Sequence, residues 1–399
     1  MKYALVLGDG MADEPIESLG GKTPLEYAST PMMDEMAQRG EIGMLHTIPE
    51  GMSPGSDTAN LSVLGYDAKR YYSGRSPLEA LSIGVPMKDT DISFRVNIVT
   101  LEGEGPFEEK IITDHSSGEI ATADSTVLLN AVTGAIKDPR FSFYPGTSYR
   151  HCMIWDKGEV TELSQPHDHL GEVIGQYLPP EPFLEMMKLS HEILKDHPMN
   201  LERIRKGLNP ANCFWFWGAG TKPMLTSFEE TFGKKGVMIS AVDLLKGIGI
   251  GCGMKVINVP GANGGLNTNY EGKAEAAVGA LLDDGYDFAY IHLEAPDEMG
   301  HQGSVEKKVK SIEYLDQRVI RVLKEALDAS GEQYRIAVLP DHPTPIRLRT
   351  HTADPVPYLI YDRWNNTRHD WHYNEREALQ SGNDAGAGPN LMRKLFQMQ

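Results

Sequence analysis

The sequence predicts an α/β protein: a mainly parallel sheet flanked by helices, interrupted by a smaller α+β unit. Three observations predict it. Short apolar runs stop abruptly at acidic residues, amphipathic helical stretches lie between them, and the middle of the chain changes texture. Continuous apolar runs of this length suit strands buried on both faces, as in a parallel sheet.

In chain order, "YALVLGDG" predicts a strand from Tyr3 to Leu7 and a turn carrying Asp9. An apolar helical pattern begins at Ser56 in "GMSPGSDTANLSVLG". Residues 85–235 hold "DISFRVNIVTL", "KIITDHSSGEI", "TSYRHCMIWD" and "CFWFWGAG", strand-like pieces with turns and scattered helix. This stretch is expected to be an inserted domain, leaving 1–84 and 236–399 as the core. Further on, "FAYIHLEAPDEMGH" predicts a strand from Phe288 to about His292, followed by Asp297 and His301. A crossover helix is expected from Val305, with Val309, Ile312, Leu315, Val319 and Val322 on one apolar face. "YRIAVLPDH" predicts a strand from Tyr334 to Leu339, followed by Asp341 and His342.

The bulk numbers limit the function classes. A chain of 399 residues exceeds one ordinary domain core, so two units are expected. A formal net charge of −18 disfavours nucleic acid and anionic membrane as partners, since either needs a basic footprint. It leaves room for a small phosphorylated substrate met by a local cluster of cations. Cys152, Cys213 and Cys252 are isolated, which fits a reducing cytoplasm and argues against a disulfide framework or a thiolate zinc site. The polar start and the lack of a long apolar run predict neither a signal peptide nor a membrane span.

Asp9, Asp297 and Asp341 all follow predicted strands, where open α/β sheets bind ligands. Asp297 and His301 stand one helical turn apart, His342 adjoins Asp341, and His351 follows in "RTHT". Singly, these are a helix cap, a turn and a loop. Together they form an Asp-His set without cysteine, suited to manganese, zinc or magnesium. Two ions about 4 Å apart would clamp a phosphoryl group. Ser56 then has two readings. It caps its helix, or it is a nucleophile activated by a cation at a helix start that favours anions.

The stretches "LGDGMAD", "PGSDTANLSVLGYD", "GRSPLEAL", "FRVN", "HPMNLERIRKGLNPAN", "DEMGH", "PDHPTP" and "RTHTADPVPYLIY" run in order from end to end. In them the chain resembles the cofactor-independent phosphoglycerate mutases, in their shorter archaeal-type branch of the alkaline phosphatase superfamily. The resemblance implies an alkaline-phosphatase-like core and two divalent ions, manganese first, with zinc, cobalt or magnesium as alternatives. It implies one ion on Asp297, His301 and His351, and the other on Asp9, Ser56, Asp341 and His342. Ser56 would take the phosphoryl group of 3-phosphoglycerate and return it to the 2-hydroxyl, while the insert clamps the acid and excludes water. Matching segments offer Arg95, Arg150, Arg203 and Lys246 as cations for the substrate, with Lys246 also a catalytic candidate. His115 and His167 are weaker candidates. The expected state is a monomer or small homo-oligomer.

The chain departs from the family pattern in two places. Trp217 stands where an arginine is expected before "GAG", and "TDHSSGEI" lacks paired arginines. A related bacterial subgroup has been proposed to phosphorylate homoserine, so a homoserine kinase is one alternative. A phosphatase of small esters and a metal-binding protein with a degenerate site are others. "GIGIGCGM" follows a helical pattern instead of opening one, and no Walker motif supports ATP use. "RHDWHY" near residue 370 is expected at the surface.

Overall fold

The computed structural model describes residues 1–398. The chain forms two compact units, Met1–Tyr72 with the segment from Met224 onward, and Ser73–Pro223. The first unit begins with β1 (Lys2–Gly8) and β2 (Glu41–His46). The second carries β3 (Ile92–Glu102), β4 (Ile111–Asp114), β5 (Phe141–Tyr144), β6 (Arg150–Trp155) and β7 (Cys213–Thr221). The chain then returns to the first unit with β8 (Gly236–Ile239), β9 (Lys255–Ile257) and β10 (Phe288–Leu293). It ends with β11 (Tyr334–Leu339), β12 (Val356–Asp362) and β13 (Asp384–Ala387).

The core sheet has eight strands in the order β13-β2-β12-β11-β1-β10-β8-β9. Only β12 runs antiparallel to its neighbours. Every residue of β10 and β11 is buried, which is why these strands read as apolar runs broken only by His292 and Arg335. Register explains where the acids go. Leu7 of β1 stands between His292 of β10 and Leu339 of β11. Two residues beyond that row lie Asp9, Glu294 and Asp341, so all three emerge at one end of the sheet.

The expected crossover helix is present, with a π-helical turn in it: α-helix Val305–Tyr314, π-turn Leu315–Ile320, α-helix Arg321–Ser330. The wider turn rotates the apolar face. Ile312, Leu315 and Val319 are buried as expected, but beyond the turn the core side falls on Leu323 and Leu327, and Val322 is only half-buried. Asp316 is buried in that turn and accepts the N–H groups of Met32 and Met33, which open the helix Pro31–Ala37.

In the second unit β3 lies between β6 and β7, all antiparallel. Phe214, Trp215, Phe216 and Trp217 of β7 are packed in its core with Phe94 and Phe183, so the aromatic run is a packing feature. The division between units falls at 73 and 223, not at the expected 85 and 235. The helix Arg75–Ser82 packs on β3 and β7, which assigns it to the insert. The helix Phe228–Phe232 stacks against Phe288 and Phe396, which assigns it to the core. No helix among the described residues is long and apolar enough to cross a membrane.

Candidate active site

The sheet end that carries the acids is shaped by short turns. Asp9 leaves β1 beside Gly10, whose φ of +59° favours glycine. A Cβ on Gly10 would sit 2.4 Å from Thr344 Oγ1 and 2.6 Å from Asp297 Oδ1, so neighbouring turns also need the bare backbone. Gly10 N–H donates to Asp341 Oδ1 at 3.1 Å, and Thr344 N–H to Ala12 O at 3.2 Å. Asp297 and His301 lie on the helix Ala295–His301 that follows β10. The turn after β11 carries Asp341 and His342, both fully buried.

Ser56 is the first residue of the helix Ser56–Val63, and the cap position is Gly55, in extended backbone without a side-chain cap. Its hydroxyl is therefore not engaged in capping. Ser56 Oγ lies 3.5 Å from both carboxylate oxygens of Asp9 and 3.1 Å from His342 Nε2. One turn on, Asn60 Nδ2 donates to Asp341 Oδ2 at 2.8 Å and to Ser56 O at 2.8 Å. Asn60 thus ties the serine helix to the turn after β11.

Two ligand clusters result. In one, His301 Nε2 lies 3.2 Å from Asp297 Oδ2, and His351 Nε2 lies 3.4 Å from Asp297 Oδ1. The two Nε2 atoms are 3.0 Å apart, while His301 Nδ1–H donates to Arg349 O at 2.9 Å. That outer bond turns the Nε2 lone pair inward, as in metal-ligating histidines. In the other cluster, His342 Nε2 lies 3.5 Å from Asp9 Oδ1 and 3.4 Å from Asp341 Oδ2, with Ser56 alongside. Ligand atoms of Asp9, Asp297 and His342 also lie within 4.8 Å of one another, so Asp297 stands between the clusters.

The electrostatics match a place for cations. Burial, then the negative charges of Asp341 and Asp297, hold the Asp9 carboxyl well above the usual carboxylate range. Burial would raise Asp297 too, but hydrogen bonds with His301 and His351 bring it well below that range. Hydrogen bonding to Asp297, opposed by burial, raises His301 to about 9. Burial pulls His342 down, which leaves its ring nitrogen able to coordinate. Three crowded carboxylates with imidazole nitrogens and no thiolate form a donor set that fits divalent cations such as Mn²⁺ or Zn²⁺.

The remaining expected residues lie elsewhere. Lys246 is on the helix Asp243–Gly251, which packs beside the serine helix, and its ammonium is 3.4 Å from Asp243 Oδ1. Arg95, Arg150 and Arg203 all belong to the insert. Arg95 is buried, 2.9 Å from Glu79 Oε2 and 4.1 Å above the Trp217 ring. Burial, opposed by Glu79, lowers it to about 10. Arg150 is exposed over Tyr149. Arg203 donates to the carbonyls of Asn209 and Ser117, at 2.9 and 2.7 Å, and so ties two loops of the insert together. His167 packs on His115 and Trp217.

Several residues at the site escaped sequence reasoning. His292 Nε2 lies 3.0 Å from Asp9 Oδ2, Thr344 Oγ1 donates to Asp297 Oδ1 at 2.5 Å, and Asn60 orients Asp341. His292 sits inside an apolar run and reads as one more strand residue. The one available signal was its alternation with Glu294, two polar groups on one face of a strand otherwise fully buried.

Residues 37–200 match the family described as 2,3-bisphosphoglycerate-independent phosphoglycerate mutase. The chain is 49% identical over 367 residues to the enzyme of that name from Methanosarcina acetivorans, with 90% of each chain covered. Among solved structures it is similar to a protein from Pyrococcus horikoshii, with 32% identity, a TM-score of 0.81 and coverage of 100% and 98% of the two chains. It is also similar to the cofactor-independent phosphoglycerate mutase of Thermoplasma acidophilum, with 26% identity, a TM-score of 0.63 and all of both chains covered.

Proposed function

The chain belongs to the 2,3-bisphosphoglycerate-independent phosphoglycerate mutases, an isomerase family, and on that premise we propose that it interconverts 3- and 2-phosphoglycerate through a phosphorylated Ser56. One observation carries the mechanism: the Ser56 hydroxyl is free of capping and faces Asp9 and His342 beside a second Asp-His cluster. Asp297, His301 and His351 would hold one divalent ion, and Asp9, Ser56, Asp341 and His342 the other. Such ions, when bound, draw charge from phosphoryl oxygens and lower the pKa of a serine hydroxyl.

Ser56 Oγ gives up its proton and attacks the phosphorus, the bond from phosphorus to the 3-oxygen breaks, and the glycerate 3-oxygen takes up one proton in exchange. The 2-hydroxyl of the same glycerate then gives up its proton and attacks the phosphoserine, the bond from phosphorus to Ser56 Oγ breaks, and Ser56 Oγ takes a proton again. The start of the serine helix adds backbone N–H groups and a positive dipole end that favour the phosphoryl anion. Arg95, Arg150 and Lys246 are the cations we assign to the anionic substrate. Arg95 is held ready by its ion pair with Glu79 and by the Trp217 face, which suits a guanidinium through cation–π attraction. The contacts of Arg203 are structural, and it is left out of this set.

The test is to supply the purified protein with Mn²⁺ and 3-phosphoglycerate, couple the product to enolase, and omit 2,3-bisphosphoglycerate. Isomerisation is expected. Release of inorganic phosphate alone would make the protein a phosphatase, and phosphohomoserine from ATP and homoserine without isomerisation would make it a kinase. Lys246→Ala should raise KM for 3-phosphoglycerate more than it lowers kcat, and unchanged steady-state kinetics would remove Lys246 from the site.

A further inference from the structure

Asp9 is held from within the sheet by residues that belong to neither ligand cluster of the proposed mechanism. His292 has no exposed side-chain surface, and its Nε2 lies 3.0 Å from Asp9 Oδ2. Its Nδ1 lies 3.1 Å from Glu294 Oε1. His292 thus bridges two carboxyl groups, with Nε2 toward Asp9 and Nδ1 toward Glu294. Glu294 Oε1 also accepts the Ala241 N–H at 2.9 Å and the Ser240 hydroxyl at 3.2 Å. Glu294 Oε2 accepts from the Lys273 ammonium at 2.6 Å, and Lys273 donates again to His292 O at 2.8 Å. Lys273 is itself fully buried.

The result is a continuous row of hydrogen-bonded side chains, Lys273, Glu294, His292, Asp9, inside the protein. Each buried polar group has a partner, without which burial would be costly. Strand geometry builds the row. Residues 292 and 294 share a face of the β10 line, and the β1–β10 register brings Asp9 level with Glu294. Four partners already occupy the oxygens of Glu294, and both nitrogens of His292 are engaged. Asp9 Oδ1 is the oxygen this row leaves untouched; it lies 3.5 Å from His342 Nε2, while Ser56 Oγ is 3.5 Å from both oxygens.

We propose that His292, Glu294 and Lys273 are positioning residues that hold Asp9 by Oδ2 and so present Oδ1 to the cation beside Ser56. The inference rests on the two-ion reading above. It is tested by titrating metal-free wild type and variants with Mn²⁺ by calorimetry, and by counting the nitrogens coupled to bound Mn²⁺ with electron spin echo spectroscopy. Thermal unfolding of the metal-free proteins checks the fold. His292→Leu and Glu294→Gln should each weaken one of two ions about 10–100-fold and spare the other, as loss of an outer partner of a metal ligand does. His292→Gln, whose amide can still donate to Asp9, should recover part of that loss with an unchanged nitrogen count. If His292→Leu does not fold, the isosteric Glu294→Gln decides. Unaltered Mn²⁺ affinity in either folded variant overturns the proposal, as does the loss of a coupled nitrogen in His292→Gln, which would make His292 a ligand. A wild type that binds no Mn²⁺ defeats the two-ion reading instead.

Discussion

Gly55 and Ser56 divide two tasks that one serine at a helix start can combine. Gly55 supplies the extended cap backbone, and the Ser56 side chain takes no part in the cap and lies beside Asp9 and His342. Ser56→Ala should therefore abolish isomerisation while changing stability by less than about 0.5 kcal/mol, the usual range for a change that removes no cap or core contact. Enolase-coupled kinetics and urea unfolding measure the two effects, and substantial residual turnover would exclude the covalent route. Gly10 is sensitive for the opposite reason. An added methyl meets Thr344 Oγ1 and both a side-chain and a backbone atom of Asp297, and φ is positive. Gly10→Ala should lose about 1–3 kcal/mol in urea unfolding and weaken Mn²⁺ binding in calorimetry. The motif acids were legible because each ends an apolar run. Asn60 and Thr344 were not, and His292 only through its alternation with Glu294, because the acids they hold lie far away in sequence. Asn60 and Asp341, for instance, are 281 positions apart.

At the scale of elements, the strand ends predicted for β1, β10 and β11 lie within a residue of those observed, since burial on both faces keeps each run mostly apolar up to its end. The long helix after the Asp297 motif was legible in place and length, but not in its π-turn. Both pitches bury Ile312, Leu315 and Val319, and only packing against the Met32–Met33 helix start distinguishes them. Asp316 in that turn is raised to about 6, chiefly by burial, against the backbone N–H bonds that lower it. Its folded pKa lies above the unfolded value, so its favourable contribution is present at low pH and is lost as pH rises through about 6. Asp316→Asn should accordingly gain stability relative to wild type between pH 4 and 7 and stay level above that. Chemical denaturation across the series checks it, and parallel curves would mean that Asp316 is not linked to folding.

For the molecule as a whole, the acidic cluster is expected to make folding sensitive to cations. Asp9, Asp297 and Asp341 are buried at one end of the sheet, where like charges repel. Removing divalent ions with a chelator should abolish isomerisation and lower the thermal midpoint. Restoring Mn²⁺ at a hundredfold excess over its Kd should return about 2.7 kcal/mol per ion bound only to the folded state. Differential scanning calorimetry with and without Mn²⁺ measures this, and an unchanged midpoint would show that the cluster holds no ion. Two units were legible from length and from the change of texture, but their boundary was not. A helix adjoins each junction, Arg75–Ser82 at the first and Phe228–Phe232 at the second, and its apolar residues do not name the core they will join.

By itself the sequence determined the α/β class and the strand ends after which Asp9, Asp297 and Asp341 stand, because strand periodicity can be read within a dozen positions. Their grouping with Ser56, His301, His342 and His351 followed from the resemblance of spaced motifs, and the structure brings these side chains together. Only the tertiary structure decided that Ser56 is not a cap, that Arg203 ties loops within the insert, that a π-turn shifts the long helix, and that Lys273, Glu294 and His292 stand behind Asp9. Each of these depends on which distant backbone or side chain lies within hydrogen-bond range. Strand register and packing set that distance, and composition along the chain does not carry it.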